Sequence, residues 1–133
     1  MRLVLDTNVV VSGVLTPMGP PGQLLDLVLA REVELVIDPR IVAEYREVLL
    51  RPRFRLDAAH VHQLLDALED IGLLATAAPW PSLLEDASDE IFLATARAGV
   101  AVLVTGNMVH FPASRRHGVL VQTPRECLES LRP

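Results

Sequence analysis

Residues 3–9 read LVLDTNV, and no other stretch of the sequence constrains the fold as strongly. The apolar run 3–5 predicts a short buried β-strand, and this run stops at Asp6. The polar pair 7–8 and the β-branched stretch that continues to Ser12 predict that the strand runs into a loop. We therefore expect Asp6 at the carboxyl end of the first strand.

Beyond this stretch, β-rich runs alternate with segments of helical periodicity. Further strands are predicted at residues 33–37, 100–104 and 119–122, a loop at 75–84, and helices at 24–31, 39–50, 57–72, 88–98 and after Thr123-Pro124. Asp38, Asp57 and Thr123 are the predicted N-caps of three of these helices. Such alternation predicts an α/β fold with a central, mostly parallel sheet. In folds of this kind, functional sites lie beyond the carboxyl ends of the strands.

Length and composition narrow the class of protein. The 133 residues are expected to form one domain, 1–133, and half of them are apolar. No apolar run approaches the roughly 20 residues of a membrane span, and no export signal precedes Asp6, so we expect a cytoplasmic protein without a membrane partner. Cys127 is the single cysteine, which excludes an intrachain disulfide and a cysteine-based zinc site.

The formal charge of −5 argues against a module that coats nucleic acid through bulk positive charge. Carboxylates that converge on divalent cations offer another reason for an acidic chain, because the bound metal supplies a local positive field. Asp6, Glu44 and Asp89 fall on three separate predicted elements, as such a site requires. Each could equally be a turn residue, a helix cap or a solvated helix residue, and spacing alone does not choose.

Four motifs in order resemble those of PIN domains. The first is LVLDTNV; the others are AEYREVL at 43–49, DEIFLATA at 89–96, and VTGN at 104–107 followed by HFP at 110–112. TPRE at 123–126 is similar to the closing motif of one bacterial subgroup, described as toxin components of toxin-antitoxin systems and related to VapC-like ribonucleases. This resemblance spans nearly the whole chain, and it implies a PIN-like three-layer α/β/α fold.

The resemblance also implies an activity: endoribonucleolytic hydrolysis of RNA, with one or two Mg²⁺ or Mn²⁺ ions held by Asp6, Glu44 and Asp89. Many PIN domains have a further carboxylate where this chain has Asn107, which can ligate through its carbonyl oxygen but adds no charge. Residues expected to orient water, phosphate or the site loop are Thr7, Asn8, Ser12, Thr105 and His110. Cationic contacts to the RNA backbone are expected from Arg46, Arg51, Arg53 and Arg55 and from Arg115, Arg116 and His117.

Family analogy further implies an antitoxin protein as partner and a homodimer. One alternative is a degenerate PIN domain that binds RNA or protein without cleavage, which Asn107 in place of a carboxylate favours. A phosphotransfer receiver also needs carboxylates at strand ends, but it relies on a lysine and this sequence contains none. A structural module whose acids only cap helices is the third alternative, and the four ordered motifs argue against it.

Overall fold

The computed structural model describes residues 1–81 and 83–132. The strands are β1 (Arg2–Leu5), β2 (Glu34–Ile37), β3 (Leu73–Leu74), β4 (Val102–Val104) and β5 (Val121–Gln122). The helices are α1 (Thr7–Leu15), α2 (Pro20–Leu29), α3 (Pro39–Leu49), α4 (Ala58–Ile71), α5 (Glu90–Gly99) and α6 (Pro124–Leu131). Short 3₁₀ turns occupy 52–54, 87–89, 108–110 and 113–115.

These strands form one parallel sheet in the order β3-β2-β1-β4-β5. β1 is central: Leu3 pairs with both Leu35 and Val102, and its apolar residues are fully buried. Since the strands are parallel, the ends of β1 and β4 meet at one edge of the sheet. The predicted α/β class with a parallel sheet is therefore confirmed.

Helix starts follow the predicted caps. Asp38 Oδ1 accepts a 2.8 Å hydrogen bond from the backbone N–H of Arg40 at the start of α3, and Asp57 caps α4 in the same way. At α6, Thr123 and Glu126 form a reciprocal capping box. Each cap satisfies backbone donors that the first turn of a helix leaves without partners.

The predicted loop after Asp6 is wrong, because residues 7–15 form α1. The backbone carbonyl of Asp6 accepts from the N–H of Val9 at 2.9 Å, so the aspartate begins the helix. Val9, Val10 and Val11 are buried between α1 and its neighbours α2 and α3. Their burial outweighs the modest preference of β-branched residues for strands.

Other boundaries also differ from the sequence predictions. α2 begins at Pro20 rather than near residue 24, because proline fits the first helical turn, where an N–H has no partner. β4 begins at Val102 rather than at Val100, whose φ of +52° belongs to the left-handed end of α5. β5 is limited to Val121–Gln122, and β3 was not predicted.

No helix in the described part of the chain is long and apolar enough to cross a bilayer.

Candidate acidic site

Asp6 lies where β1 ends and α1 begins. Its backbone N–H donates to the carbonyl of Val104 at 2.9 Å, which ties the ends of β1 and β4 together. Its side chain is only 6% exposed, and Oδ2 accepts a 2.8 Å hydrogen bond from the hydroxyl of Thr105. Burial raises the pKa of the Asp6 carboxyl, and the charge of Glu44 raises it further, while the Thr105 hydroxyl works in the opposite direction.

Glu44 reaches the same region from the middle of α3. Its Oε2 accepts a hydrogen bond from the hydroxyl of Thr7 in the first turn of α1. The next residue, Tyr45, is completely buried and donates its hydroxyl to the backbone carbonyl of Leu5. Burial raises the pKa of Tyr45, and the charges of Asp6 and Glu44 raise it further, so this phenol remains a neutral donor that fixes α3 beside the end of β1.

Asp89 is the last residue of the 3₁₀ turn that leads into α5. Its side chain is 13% exposed. Burial raises the pKa of this carboxyl to about 6, and the next largest cause is repulsion by the charge of Asp6. Nδ1 of His110 lies 3.0 Å from Oδ2 of Asp89, but Oδ2 accepts no hydrogen bond from any described residue.

The loop after β4 connects these groups. The Thr105 hydroxyl that donates to Asp6 also accepts the backbone N–H of Asn107 at 3.0 Å. Oδ1 of Asn8 accepts the N–H of Gly106 at 3.2 Å, so the first turn of α1 holds the same loop. Nδ2 of Asn107 lies 2.9 Å from Nε2 of His110. The position of His110 therefore depends on contacts that lead back to Asp6.

The three predicted carboxylates thus lie close enough to interact: beside burial, the charge of Glu44 raises the pKa of Asp6, and the charges of Asp6 and Glu44 raise the pKa of Asp89. All of their donors are hard oxygens, which suit Mg²⁺ and Mn²⁺, and the buried Oδ2 of Asp89 without a hydrogen bond is an available ligand atom. In the side-chain conformations of residues 1–81 and 83–132, however, no three acidic, histidine or cysteine side chains converge tightly enough to hold one ion. The donor chemistry fits a divalent cation, and binding requires the carboxylates to move closer together.

Two further predicted site residues, Ser12 and Arg46, differ in where they lie relative to the three carboxylates. Ser12 is exposed on α1 and lines a cleft of about 260 Å³ together with Asn8 and Asn107. Arg46 points away: its guanidinium lies 3.1 Å from Glu69 and 3.5 Å from Asp66, both on α4. The sequence interpretation used Arg46 as a substrate contact, and the structure does not bring it to the carboxylates.

Several of the remaining cations contact their own chain. Arg115 donates to the carbonyl of Leu83, and Arg116 donates to the carbonyl of Phe111 at 2.7 Å. The guanidinium of Arg53 lies 4.8 Å from the ring centre of Phe54.

Sequence reasoning missed the role of Tyr45 as the link between α3 and β1. Only its position next to Glu44 in the second motif hinted at that role.

Comparison with known proteins adds a family match. The family model described as PIN domain matches residues 2–109. The chain is also 26% identical over 110 residues to the uncharacterized protein MJ1680 of Methanocaldococcus jannaschii, covering 80% of this chain and 71% of that protein.

Solved structures share the fold. One is VapBC2 from Rickettsia felis bound to a DNA fragment from their promoter (TM-score 0.64, 17% identity, 92% of this chain and 98% of that chain). A second is FitAB bound to an IR36 DNA fragment (TM-score 0.63, 20% identity, 92% and 94%). A third is FitAcB from Neisseria gonorrhoeae (TM-score 0.59, 22% identity, 92% and 98%). At such identities the likeness concerns the fold alone.

Proposed function

This chain belongs to the PIN domain family, and from that membership we propose that it is a metal-dependent endoribonuclease. The observation that carries the proposal is the proximity of Asp6, Glu44 and Asp89 beyond the carboxyl edge of the sheet: burial raises the pKa of Asp6 and of Asp89, the charge of Glu44 raises both further, and the charge of Asp6 also raises the pKa of Asp89. Clustering like charges is unfavourable in the absence of a compensating cation, so such clusters are typical of functional sites. A purely structural set of helix caps has no reason to lie so close that their charges interact.

Within this proposal, Asp6, Glu44 and Asp89 hold the metal, with Asn107 contributing its carbonyl oxygen. A divalent cation, when bound, lowers the pKa of water and stabilises the leaving oxygen of the phosphodiester. The hydroxyls of Thr7 and Thr105 orient two of the carboxylates, as their hydrogen bonds to Glu44 and Asp6 indicate.

The surrounding residues have supporting roles. Asn8 secures the loop after β4 through its contact with Gly106. Ser12, on the wall of the adjacent cleft, is positioned for contact with substrate backbone. No covalent nucleophile from the protein is needed, because the attacking group is water.

We further propose that the chain is the toxin of a toxin-antitoxin pair, with RNA as substrate, an antitoxin protein as partner and a homodimer as its assembly. VapBC2 and FitAB, which share its fold, support the two-protein arrangement by analogy. Analytical ultracentrifugation tests the dimer, and co-purification with the product of the adjacent reading frame tests the partner.

The nuclease proposal is tested by cleavage of a mixed pool of structured and single-stranded RNA with Mg²⁺ or Mn²⁺. The wild type is expected to cut, and EDTA, Asp6→Asn or Asp89→Asn is expected to abolish cutting. Asp70→Asn, an exposed aspartate on α4, is the matched control and keeps full activity. A well-folded wild type that cuts nothing with either metal refutes the nuclease and favours the degenerate binding module.

A further inference from the structure

A cleft of about 310 Å³ opens beside the acidic site, between α3, α5 and the segment that ends at Trp80. Its charged side chains are Arg40, from the first turn of α3, and Glu90, from the first turn of α5. The rest of the wall is mainly apolar and includes Pro79, Trp80 and Ile91. The volume is at the lower end of the range for sites that bind small ligands. We call this space the Arg40 cleft.

The Arg40 cleft adjoins two of the proposed metal ligands. Glu90 directly follows Asp89 at the start of α5. Arg40 precedes Glu44 by four residues on α3, and residues four apart lie on the same face of a helix, about 6 Å from each other. A nucleotide bound in this cleft therefore lies close to the phosphodiester bond that the acidic site would cut.

Arg40 is held in place by Asp38. The Nε–H of Arg40 donates to Oδ1 of Asp38 at 3.0 Å, and Nη2 donates to Oδ2 at 3.1 Å. Asp38 is only 4% exposed, whereas the Arg40 side chain is 67% exposed. This pairing uses one edge of the guanidinium. Nη1 and the second hydrogen of Nη2 form the other edge, which has no hydrogen-bond partner among residues 1–81 and 83–132 and is oriented before any ligand binds.

Glu90 is fixed in a similar way. Its Oε2 accepts the backbone N–H of Leu84 at 3.1 Å, which ties the carboxylate to the segment before α5. Oε1 accepts no hydrogen bond within the described part of the chain. The cleft thus contains one guanidinium edge that only donates and one carboxylate oxygen that only accepts.

Guanine is the base that matches this pair of groups. Its O6 and N7 are adjacent acceptors, to which an arginine donates two parallel hydrogen bonds. On its Watson–Crick edge, N1–H and the N2 amine are donors to a carboxylate. We propose that the Arg40 cleft binds a guanine base of single-stranded RNA, with Arg40 donating to O6 and N7 and Glu90 accepting from N1–H and the N2 amine. The inference rests on the proposed function, because it gives the substrate preference of the same site.

The other bases fit less well. Adenine has N7 but carries an amino group where guanine has O6, so it would place a donor opposite the donors of Arg40. Adenine also has no N1–H for Glu90. Uracil and cytosine have no N7. Because Glu90 needs an unpaired Watson–Crick edge, the substrate is restricted to single strands and loops.

Binding of RNA heptamers in EDTA tests the preference without cleavage. The probes are uridine heptamers with guanosine, adenosine, inosine or 7-deazaguanosine at the centre and a fluorescent label at one end, titrated with the full chain and followed by fluorescence anisotropy. The guanosine heptamer is expected to bind about tenfold more tightly than the adenosine heptamer. 7-Deazaguanosine, which lacks N7, and inosine, which lacks the N2 amine, are each expected to lose part of this advantage.

Arg40→Lys keeps the positive charge and removes the planar pair of N–H donors. We expect this variant to bind guanosine and adenosine heptamers equally, through a loss of affinity for guanosine alone. Arg2→Lys is the matched control, because Arg2 also pairs with a carboxylate, Glu34 at 3.0 Å, but lies at the opposite end of β1. It should keep the full guanosine preference. Should Arg40→Lys fail to fold, as judged by circular dichroism, the 7-deazaguanosine heptamer with wild type decides the same question.

The outcomes distinguish this inference from the nuclease proposal. A wild type that binds guanosine and adenosine heptamers equally, or binds neither, overturns the inference even if RNA is cut. An equal loss for every heptamer in Arg40→Lys also overturns it, because such a loss indicates a contact with phosphate. A guanosine preference that depends on Arg40 and on N7 supports the inference even if no RNA is cut with either metal.

Discussion

The hydroxyl of Thr105 donates a 2.8 Å hydrogen bond to Oδ2 of Asp6, and 99 residues of sequence separate the two side chains. Both are buried, and the same hydroxyl accepts the backbone N–H of Asn107. The Thr105 hydroxyl therefore links the end of β1, where Asp6 lies, to the loop that carries Asn107 and His110. Several consequences of this arrangement, and of the packing around it, are open to measurement.

Thr105→Val keeps the shape of the side chain and removes the hydroxyl. We expect the free energy of unfolding to fall by about 1–3 kcal/mol, because Asp6 and the N–H of Asn107 lose a buried partner. Cleavage is expected to fall about tenfold, since Asp6 loses the group that orients it. Thr105→Ser, which retains the hydroxyl, should stay close to wild type in both urea unfolding and RNA cleavage. Equal loss in the serine variant would indicate a packing effect instead.

Asp6→Asn should make the metal-free protein more stable at pH 7.5 while abolishing cleavage. The raised pKa of Asp6 means that its negative charge is unfavourable in the folded protein, and the amide removes this charge while keeping an oxygen for the Thr105 hydroxyl. We expect the melting temperature in EDTA to rise by about 3 °C. A lower melting temperature would mean that the carboxylate contributes net stability without metal.

The stability of the metal-free protein should fall as pH rises through the titration of Asp89. In the unfolded chain this carboxyl titrates near 3.8, and in the folded protein near about 6. Well below pH 3.8 the carboxyl is protonated in both states. Between pH 4 and 6 it ionises in the unfolded chain but remains largely protonated in the folded protein. Folding then requires uptake of a proton, so the free energy of unfolding falls as pH rises. Linkage gives about 2 kcal/mol for this interval, and solvent screening of the partly buried carboxyl reduces the expected loss in free energy of unfolding, measured with urea in EDTA relative to Asp89→Asn, to about 1 kcal/mol. If the free energy of unfolding depends on pH in the same way in wild type and Asp89→Asn, the pKa of Asp89 is not raised in the folded protein.

Arg46→Ala should leave RNA cleavage nearly unchanged. Its guanidinium is engaged by Glu69 and Asp66, so the variant removes contacts between α3 and α4 and not a substrate contact. Partly exposed ion pairs contribute little, and the free energy of unfolding is expected to fall by about 0.5–1 kcal/mol. A large increase in KM for RNA, with normal stability, would indicate that Arg46 contacts the substrate.

Gly22→Ala should destabilise the packing of α2 against the segment that connects it to α1. A Cβ atom at this position would lie 2.1 Å from the carbonyl oxygen of Pro17, and backbone has to shift to admit it. We expect a loss of about 3 kcal/mol in the free energy of unfolding. Gly19→Ala is the control: it meets nothing closer than 3.5 Å and should lose far less. Similar losses at the two positions would contradict the steric explanation.

The sequence by itself predicted the features that depend on local chemistry. The α/β class, the caps at Asp38, Asp57 and Thr123, and the position of Asp6 at a strand end all follow from residue type and spacing within a few positions. Motif order predicted the family. The assignment of Asp6, Glu44 and Asp89 as metal ligands also came from the sequence, and it remains a proposal.

Only the tertiary structure decided the rest, because those features depend on contacts between residues far apart in sequence. Burial of Val9, Val10 and Val11 against α2 and α3 made residues 7–15 a helix, although their local preference is for a strand. The contacts of Arg46 with Asp66 and Glu69 on α4 were not predicted from the sequence either. The link from Asp6 through Thr105 to Asn107, and the approach of His110 to Asp89, arise because parallel pairing brings the ends of β1 and β4 to one edge, which no local pattern encodes.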